Sequence, residues 1–600
     1  MITTSELKRT LREVFGFENF RGLQADVIEH VLGGGDCLVL MPTGGGKSLC
    51  YQLPSIAAPG TGVVISPLIA LMDDQVGSLV QMGVRVACLH SGLEWEEQKG
   101  IEQALRQGRL DLIYVSPERA LSPRFGELLA ACRLALFAID EAHCVSQWGH
   151  DFRPEYLQLR ELCDRFPDTP RLALTATADA PTRGDILERL GLRRPAQFVA
   201  GFDRPNIFYQ AVVKSSAMQQ LTSFLKREHA GDSGIVYAQT RTRVDKAANR
   251  LRELGFEALP YHAGMDNQQR QHNQQRFLRE EGLIVVATVA FGMGIDKSNV
   301  RFVCHLDMPK SLEGYYQETG RAGRDGLAAN AWMGYGLADV IGMRQLLATS
   351  NAQERQRRIE RHKLDAMLGY CETTACRRRV LLSYFGEDPP ENCGACDNCL
   401  DPPATFDATE VSQKLLSCVY RTGQRFGARY LVDVLMGKSD ERMESYGHHK
   451  LTTFGIGKEL GTAQWMSVIR QLVAAGFLSV DIEGFGGLVL TPRARPVLKG
   501  EETIRLRRDP ESKKTRGPRT SFEGPVDSEL WSALRQKRLE LARAQGVPPY
   551  LIFHDSTLHA MVVERPRDLR SFAGLPGVGS KKLDSYGQAF LSVLEAHTPG

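Results

Sequence analysis

The sequence predicts a multidomain protein with two α/β lobes, each built on a parallel sheet, followed by smaller units that are mostly helical. Short apolar, β-rich runs alternate with helical patterns up to about residue 200, and the alternation resumes from about residue 207 to 345. Such alternation is typical of a parallel sheet covered by helices on both faces. The length of 600 residues also exceeds what one hydrophobic core supports, so we expect about three to five domains.

The predicted boundaries follow changes in composition along the chain. They are 1–205 for the first lobe, 206–345 for the second, 346–403 for a basic helical module with clustered cysteines, 404–500 for a helical unit with a hairpin, 501–525 for a linker and 526–600 for a final helical domain. The linker is assigned because residues 499–525 are polar, charged and basic, with almost no apolar periodicity.

The overall composition is that of an ordinary globular protein, with 42% apolar and 24% charged residues. The net charge of +3 says little about partners, so a polyanion-binding surface has to be argued from local clusters. We find no N-terminal signal pattern and no apolar stretch long enough to span a membrane. Most of the thirteen cysteines stand singly among apolar residues, which favours buried thiols in a reducing cytoplasm.

The first lobe opens with the segment FGFENFRGLQ, residues 15–24. Phe17 can stack on a base, Gln24 has an amide that donates and accepts at once, as an adenine edge requires, and Arg21 can reach a phosphate. The alternative is that Phe and Leu at helical spacing are simply core residues. The position of the segment just ahead of the next motif favours a nucleotide contact.

A phosphate-binding loop follows the apolar run CLVLM, which we predict to be a buried strand. It comprises Thr43, Gly44, Gly45, Gly46, Lys47 and Ser48. Consecutive glycines let the backbone turn N–H groups towards an anion, and a helix that starts after Ser48 adds its dipole. Lys47 is placed to meet the β- and γ-phosphates of a nucleotide, and the Ser48 hydroxyl to meet Mg²⁺. Met41 departs from the general pattern, which has Gly there, and a glycine-rich surface turn is the alternative.

Polar motifs also follow the other strand candidates of this lobe, which are 63–66, 112–116, 134–140 and 172–177. Functional groups of parallel sheets gather at such carboxyl ends. In the sequence DEAH, Asp140 ends an apolar run and can hold Mg²⁺ through water. Glu141 is positioned to polarise an attacking water, and His143 to couple the nucleotide state to Thr175 and Thr177 of the TAT motif. An acidic helix start is the alternative for any such pair of carboxylates.

The segment CVSQWGHDFRPEY, residues 144–156, combines aromatic side chains with glycine and proline. Trp148 and Phe152 are poor core material in such a polar loop but good platforms for stacked nucleic-acid bases, and Arg153 suits a phosphate. The alternative is a loop whose tryptophan packs into the core.

The second lobe ends in YYQETGRAGRDG, residues 315–326. Arg321 and Arg324 stand three residues apart among glycines that leave their side chains unobstructed. They can reach a γ-phosphate held by the other lobe, which is the arginine-finger role. We therefore expect a two-lobed motor in which ATP binds on the first lobe and the second lobe completes the site by closing.

Six motifs together resemble the ordered set of superfamily 2 helicases, namely MPTGGGKS, SPLIALMDDQ, DEAH, TAT, VATVAFGMGIDK and QETGRAGRDG. The segments FGFENFRGLQ and SQWGHDFRPEY narrow the resemblance to the RecQ family of DNA helicases. The resemblance implies RecA-like lobes and adenine recognition by Phe17, Arg21 and Gln24. It also implies that the aromatic loop, through Trp148 and Phe152, couples DNA binding to ATP hydrolysis.

Four clustered cysteines follow a basic helical stretch; they are Cys376, Cys393, Cys396 and Cys399. The run CGACDNC contains two CxxC units that share a cysteine, and this spacing brings thiolates on tight turns to one tetrahedral ion. Four sulfur ligands without an open position indicate a structural Zn²⁺ site, with disulfides as the alternative. The RecQ resemblance implies a zinc-binding module at this place. Cys371 has no matching role.

The next unit is predicted to be a winged helix. In TAQWMSVIRQLVAAG, one helical face carries Trp465, Val468, Ile469, Leu472 and Val473. The runs LSVDI and LVLT, joined by EGFGG, predict a hairpin wing. Winged helices grip duplex DNA by its backbone, and the resemblance makes Phe485 at the tip the candidate for parting the strands.

The final helical domain resembles the HRDC domain found at the end of many RecQ proteins, an auxiliary single-strand binder. Its GVGSKK turn exposes backbone N–H groups beside Lys581 and Lys582, which predicts a small phosphate-binding nest. Because acidic and basic residues nearly balance, we expect weak DNA binding. Tyr550 is a candidate for base stacking or for the core.

The sequence therefore predicts an ATP-dependent DNA helicase that uses ATP, Mg²⁺ and Zn²⁺ and acts on single-stranded and duplex DNA. The predicted catalytic residues are Lys47, Asp140, Glu141, Arg321 and Arg324. The RecQ resemblance implies 3′-to-5′ movement, a role in recombination and repair and a cytoplasmic, nucleoid-associated location. It also implies a single-strand DNA-binding protein and a topoisomerase as partners.

Three alternative functions stay open at this point. The adenine segment, the aromatic loop and the winged helix argue against an RNA helicase. Intact catalytic positions argue against a DNA-binding scaffold with a vestigial ATPase. A translocase that moves on DNA without unwinding is the hardest to separate, because strand parting depends on the geometry of the wing.

Overall fold

The computed structural model describes residues 2–90, 92–146, 152–178, 180–292, 297–348, 354–481, 487–509 and 527–597. Two parallel sheets form the centres of two lobes, and a short helical module, a winged helix and an all-α domain follow in chain order. The predicted fold class is confirmed.

The sheet of the first lobe has seven strands, and every neighbouring pair is parallel. They are β1 (Cys37–Leu40), β2 (Thr61–Ile65), β3 (Val86–Leu89), β4 (Leu112–Val115), β5 (Leu134–Ile139), β6 (Arg171–Thr175) and β7 (Ala196–Val199). Their order across the sheet is β3-β4-β2-β5-β6-β1-β7. The five central strands are those that the sequence predicts. The outermost strands, β3 and β7, escaped prediction because their half-exposed residues lack a continuous apolar run.

Helices cover both faces of this sheet, as βαβ connections require. They are α1 (Thr4–Thr10), α2 (Gln24–Leu32), α3 (Leu49–Ala57), α4 (Ile69–Gln81), α5 (Trp95–Arg106), α6 (Pro117–Ala120), α7 (Pro123–Ala130), α8 (Pro154–Asp164) and α9 (Ala180–Arg189). A π-helical turn spans Leu11–Phe15 and a 3₁₀ turn spans Ala142–Val145. The α1 helix starts with a capping box, in which the Thr3 hydroxyl accepts from the Glu6 N–H while the Glu6 carboxylate accepts from the Thr3 N–H.

The second lobe repeats this construction with six parallel strands. They are β8 (Ile207–Val213), β9 (Gly234–Tyr237), β10 (Ala258–Tyr261), β11 (Ile284–Ala287), β12 (Phe302–His305) and β13 (Ala329–Tyr335), in the spatial order β10-β11-β9-β12-β13-β8. The helices are α10 (Ala217–Glu228), α11 (Arg241–Glu253), α12 (Asn267–Arg279), α13 (Leu312–Thr319) and α14 (Leu337–Ala348). The α13 helix leads directly into the two predicted finger arginines, so the sheet of the second lobe fixes where they point.

The module after the second lobe is helical, with α15 (Glu354–Glu372), α16 (Arg377–Tyr384) and α17 (Asp397–Leu400). It packs on β8 of the second lobe. Arg377, whose side chain is 1% exposed, lies 2.5 Å from the Asp397 carboxylate, and that carboxylate accepts the Ala211 N–H at 2.9 Å. This buried ion pair ties the module to the motor.

The winged helix contains β14 (Thr405–Asp407), α18 (Thr409–Arg421), α19 (Ala428–Met436), α20 (Glu441–Ser445), α21 (Thr462–Ala474), β15 (Leu478–Asp481), β16 (Gly487–Leu490), α22 (Ala494–Leu498) and β17 (Arg505–Arg507), with a 3₁₀ turn at His448–Lys450. The five apolar residues predicted for one face of α21 are at most 2% exposed. The β15 and β16 strands pair antiparallel as the predicted hairpin. Phe485 at its tip lies outside the described residues.

The strand β17 lies within the segment that we predict to be a linker. It pairs antiparallel with β14, and Ile504 and Leu506 are each 5% exposed in the core of the winged helix. Two apolar residues amid arginines are too few to give a periodic signal, which explains why the sequence does not predict this strand.

The last domain is a helical bundle with α23 (Ser528–Gln545), α24 (Pro549–Ile552), α25 (Asp555–Glu564), α26 (Leu569–Phe572) and α27 (Ser580–Ala596). It has its own core, centred on Leu534, Phe553 and Phe590. Among the helices that the structure describes, none is both long enough and apolar enough to cross a membrane.

Candidate active site

A cavity of about 300 Å³ lies between the two lobes, where the carboxyl ends of β1, β2, β5 and β6 meet the end of α13. The first lobe contributes the phosphate-binding loop, Asp140, Glu141 and His143 to its wall. The second lobe contributes Gln317, Arg321 and Arg324. The folding of two separate sheets thus brings together the residues that the sequence predicts to be catalytic.

The phosphate-binding loop has the conformation that its glycines predict. Gly44 and Gly46 adopt φ angles of 79° and 80°, a region that favours glycine. A Cβ at Gly46 would also collide with the Gln24 amide. The α3 helix begins at Leu49, directly after Ser48, so its N-terminus and the loop N–H groups face the cavity.

The residues predicted to recognise adenine cluster beside this loop, outside the cavity wall. The Arg21 guanidinium lies 5.6 Å from the centre of the Phe17 ring. The Gln24 amide accepts the Arg21 N–H at 2.8 Å and donates to the Gly46 carbonyl at 3.2 Å. Gln24 is therefore bonded to the phosphate-binding loop itself and is 3% exposed, a link that sequence spacing could not reveal.

The two acidic residues of DEAH sit at the end of β5. The Asp140 carboxylate accepts the Glu141 N–H at 3.0 Å, and the Asp140 carbonyl accepts the Tyr156 hydroxyl at 2.8 Å. Glu141 has φ 48° and ψ 45°, a left-handed conformation that costs a residue with a side chain about 1 kcal/mol or more. Strain of this kind is typical of functional sites, and here it aims the Glu141 carboxylate into the cavity.

A close contact and then a series of hydrogen bonds connect Glu141 to the second lobe. His143 Nδ1 lies 3.3 Å from Glu141 Oε2 and 2.8 Å from Thr175 Oγ1. The Thr175 hydroxyl donates to the Thr177 carbonyl at 3.2 Å, so it accepts from His143, which places the imidazole proton on Nδ1. Gln317 Nε2 then donates to Thr177 Oγ1 at 2.8 Å. The structure thus brings together the three predicted coupling residues and adds Gln317, which stands in the QETGRAGRDG motif.

Burial makes His143 a neutral element of this path. It lowers the pKa of His143 to about 3, and the positive charges of Lys47 and Arg153 act in the same direction. The side chain therefore orients and transmits hydrogen bonds at physiological pH without carrying charge.

The predicted finger arginines, Arg321 and Arg324, lie on the cavity wall next to the phosphate-binding loop. Arg321 donates to the Gly292 carbonyl. The Cα of Arg324 is 3.5 Å from where a Cβ on Gly44 would stand, so this turn packs directly on the loop. Both arginines line the same cavity as Lys47.

Arg204 is a functional candidate that lies outside the motifs recognised in the sequence. It is 8% exposed and donates to the carbonyls of Gly320, Ala322 and Gly323 at 2.9 to 3.0 Å, and also to the carbonyl of Thr43. One guanidinium thus joins the phosphate-binding loop to the turn with the finger arginines. The only sequence feature that indicates Arg204 is its position in FDRPN, between the two lobes. Its partners are backbone carbonyls, which a sequence pattern does not reveal.

The aromatic loop is described in part. Trp148 lies outside the described residues. Phe152 is 36% exposed, and Arg153 donates to the Pro67 carbonyl at 3.2 Å. Pro67 lines the cavity, so the end of this loop is attached to the nucleotide site rather than held apart from it.

Five family profiles match consecutive parts of the chain. They are DEAD/DEAH box helicase at 21–185, helicase conserved C-terminal domain at 214–326, RecQ zinc-binding at 337–400, RQC domain at 402–515 and HRDC domain at 527–594. The chain is 45% identical over 98% of its length to an ATP-dependent DNA helicase RecQ of Haemophilus influenzae, covering 95% of that protein. It is 38% identical to the protein of the same name from Bacillus subtilis, with 98% of both chains covered.

The chain belongs to the RecQ family of DNA helicases. The family assignment made from the motifs is confirmed, and the order of matched domains agrees with the fold.

The RecQ zinc-binding region holds the four predicted cysteines in one cluster. The Sγ atoms of Cys376 and Cys396 are 3.9 Å apart, as are those of Cys393 and Cys399, and all four lie within 4.8 Å of one another. Tetrahedral Zn²⁺ with bonds of about 2.3 Å requires sulfur separations of roughly 3.8 Å. All thirteen cysteines are free thiols, so the cluster fits Zn²⁺ and not disulfides. Cys371 stands apart from it.

A second group of potential ligands does not fit a metal. Cys88 donates to Asp73 Oδ1 at 3.3 Å, and His90 Nε2 lies 3.5 Å from the same oxygen. The Gly92 N–H donates to His90 Nδ1 at 3.1 Å, which leaves the proton on Nε2, the nitrogen that faces the group. Burial and Asp73 raise the pKa of Cys88 to about 12. Cys88 thus donates to the Asp73 carboxylate, and His90 turns a protonated nitrogen towards the same oxygen.

The HRDC domain places its two predicted phosphate ligands differently. Lys581 is exposed, whereas Lys582 is 5% exposed and its ammonium lies 5.8 Å from the centre of the Phe553 ring. Burial lowers the pKa of Lys582 to about 8. In this arrangement Lys582 serves the interior of the domain and does not present its charge to DNA. Tyr550 is 4% exposed and belongs to a hydrophobic cluster of the second lobe, so of its two predicted roles the structure places it in the core.

Proposed function

We propose that this RecQ protein is an ATP-dependent DNA helicase that moves 3′-to-5′ and couples ATP hydrolysis to closing and reopening of its two lobes. The observation that carries the proposal is the path from Glu141 through His143, Thr175 and Thr177 to Gln317. It links the residue that would activate water, through three intervening residues, to the other lobe. A hydrolase that did not transmit the nucleotide state would not need that connection.

The residues around the cavity suggest how the reaction is divided between the lobes. Lys47 and the loop N–H groups would bind the β- and γ-phosphates of ATP. Ser48 and Asp140 would hold Mg²⁺, which supplies positive charge that polarises the phosphates. Glu141 would take a hydrogen bond from the attacking water and orient it in line with the γ-phosphate.

The second lobe would supply transition-state charge. Arg321 and Arg324 line the cavity, where they would meet the negative charge that grows on the γ-phosphate oxygens, and such fingers stabilise that charge electrostatically. Arg204 holds the turn that carries them against the phosphate-binding loop. Once the γ-phosphate has left, the two arginines no longer have an anion to bind on the first lobe. The attraction that closes the lobes is then lost, and the lobes can reopen.

Single-stranded and duplex DNA are the proposed substrates, in recombination and repair within the cytoplasmic nucleoid. Family membership supports DNA over RNA, and the named relatives are DNA helicases. Exposed Phe152 and the neighbouring Trp148 are the proposed stacking contacts, and the winged helix with Phe485 is the proposed strand separator. A single-strand DNA-binding protein and a topoisomerase are proposed partners on family grounds.

The first test is ATP hydrolysis without nucleic acid, with single-stranded DNA and with single-stranded RNA. We expect strong stimulation by DNA and weak stimulation by RNA. Gln317→Ala and Trp148→Ala should each lower the DNA-stimulated kcat by about tenfold or more while nucleotide affinity changes little. Equal stimulation by RNA, or hydrolysis that ignores nucleic acid, would overturn the DNA assignment.

Unwinding of a forked duplex, measured beside translocation on a single strand, separates a helicase from a translocase. The wild type should unwind forks that have a 3′ single-stranded tail, and Phe485→Ala should unwind more slowly at an unchanged translocation rate. A wild type that translocates but leaves the fork intact contradicts the helicase assignment.

A further inference from the structure

The HRDC domain is docked on both lobes of the motor beside the nucleotide cavity. On the first lobe, the Gly577 N–H donates to the Gly16 carbonyl at 3.0 Å, and the Tyr586 hydroxyl donates to Gln81 Oε1 at 2.8 Å. The fit at Gly16 is close, since a Cβ there would collide with the backbone of Val578. The predicted phosphate nest is therefore occupied by a contact with the first lobe.

The contact with the second lobe is a buried ion cluster. Glu281 accepts from Arg535 Nε at 2.7 Å and from Arg538 Nη2 at 2.5 Å. Arg538 is 0% exposed and also lies 2.7 Å from the Asp555 carboxylate and donates to the Phe553 carbonyl at 2.8 Å. The Glu281 carboxylate of the second lobe thus pairs with a buried arginine of the HRDC domain. Breaking such a desolvated ion pair costs much free energy.

Between these two contacts, the α24 region of HRDC reaches the nucleotide cavity. Tyr550, Leu551 and His554 line the cavity together with the phosphate-binding loop and the finger arginines. Tyr550 and Leu551 also pack into a hydrophobic cluster of the second lobe that contains Phe277 and Phe291. The cavity therefore has three walls, and the third belongs to a domain that lies more than two hundred residues beyond the arginines in sequence.

We propose that the docked HRDC domain is the third wall of the ATP site and retards nucleotide exchange. HRDC narrows the way out of the cavity and binds both of the other walls, so a nucleotide leaves more easily when HRDC moves away. Because Tyr550, Leu551 and His554 bring no fixed positive charge to the phosphates, this wall acts by enclosing the nucleotide. We further propose that docking raises the affinity for the nucleotide, in which case reciprocity requires a bound nucleotide to strengthen docking by the same factor.

The test uses the full chain and release of a fluorescently labelled ADP with Mg²⁺. Glu281→Gln keeps the shape of the side chain but removes the charge that holds Arg535 and Arg538. We expect release about tenfold faster than in the wild type, since most interface changes act on the dissociation rate. Gln81→Ala loosens the other lobe's contact and should act in the same direction.

Glu280→Gln is the matched control. Glu280 is the neighbouring carboxylate, and its ion pair is with Arg276 of its own lobe at 2.8 Å. The Glu280→Gln variant should release labelled ADP at the same rate as the wild type. Equal release from wild type, Glu281→Gln and Gln81→Ala would overturn the proposal.

Hydrogen exchange at Gly577 reports docking directly. Its N–H is bonded to the first lobe, so exchange should be slow in the wild type, slower with labelled ADP bound and faster in Glu281→Gln. If release accelerates in Glu281→Gln while exchange at Gly577 is unchanged, Glu281 acts within its own lobe and the proposal fails. The inference rests on the proposed ATP site: a wild type that does not bind labelled ADP refutes that site, whereas binding with unaltered release in the variants refutes only the role of HRDC.

Discussion

Arg204 belongs to none of the motifs recognised in the sequence, yet we expect its removal to impair both stability and catalysis. Arg204→Ala removes the charged hydrogen-bond donor of four backbone carbonyls. We therefore expect the free energy of unfolding to fall by about 3 kcal/mol, through the contact between the lobes. The finger arginines would lose their position, and kcat for ATP should fall about a hundredfold. Calorimetry and steady-state ATPase assays measure both effects.

Arg204→Lys separates charge from geometry. A lysine keeps the positive charge but cannot donate to several carbonyls from one planar group. We expect an intermediate stability and a kcat close to that of Arg204→Ala. A lysine variant with wild-type kcat would show that only the charge matters.

His143 gives the protein a specific acid sensitivity. Its pKa is about 3 when folded and about 6.5 when unfolded, so the unfolded chain binds a proton that the folded chain excludes. The stabilising contribution is complete above the unfolded value and is lost as the pH falls from there towards 3. Between pH 7.5 and 5.5 we expect a loss of about 1.4 kcal/mol.

Melting temperatures of wild type and His143→Gln at both pH values measure this contribution. Glutamine keeps a donor for Thr175 but does not titrate, so the variant should lose less stability on acidification. All other ionisable groups cancel in the double difference. Equal losses in the two proteins would contradict a buried neutral imidazole.

At the scale of elements, the zinc module should behave as a metal-dependent clamp on the second lobe. Cys396 forms a β-bridge with Tyr209 of β8, and Asp397 accepts from both Arg377 and Ala211. Cys396→Ala should therefore abolish zinc binding and destabilise the second lobe by about 3 kcal/mol. Metal analysis and calorimetry of the purified variant test this.

Cys371 provides the control for that experiment. It is also a buried thiol in the same module, but it stands outside the cluster. Cys371→Ala should retain one zinc per chain. Loss of zinc from both variants would mean that zinc content follows general unfolding rather than ligation.

The elements that the sequence predicts well are those with a local signature. Buried central strands read as continuous apolar runs, and the four cysteines stand at ligand spacing. Edge strands β3 and β7 and the short strand β17 have no such signature, because exposure or arginine neighbours interrupt the pattern. Lys582 illustrates the opposite failure, since a basic residue after a glycine turn has the composition of a phosphate ligand although its ammonium is buried against Phe553.

At the scale of the whole molecule, contacts between domains cannot be predicted from the spacing of motifs. Gln317 and Arg204 act across the lobes through a hydroxyl and through backbone carbonyls. The HRDC contacts through Glu281 and Gln81 join residues far apart in the chain. None of these pairings produces a spacing or a periodicity, so only the assembled chain reveals them.

A second ion cluster fixes the winged helix to the motor. Glu372 of α15 pairs with Arg470 of α21 and lies 3.1 Å from Arg507 of β17. Arg507 also donates to the Tyr335 hydroxyl of the second lobe at 2.6 Å, and Asp509 lies 2.9 Å from Arg470. The carboxylate of Glu372 is thus the shared anion for two arginines that are each about 6% exposed on their side chains.

Glu372→Gln should therefore uncouple unwinding from hydrolysis. Removing the shared charge leaves two buried arginines with Asp509 as their carboxylate, which favours release of the winged helix from the second lobe. The nucleotide cavity contains none of these residues, so DNA-stimulated ATPase should stay within about twofold of wild type while base pairs opened per ATP fall about tenfold. Glu410→Gln, which removes an exposed carboxylate paired with Lys414 on the same winged helix, should unwind normally. If Glu372→Gln opens as many base pairs per ATP as this control, strand separation does not depend on a fixed winged helix, and the lobes alone must part the duplex.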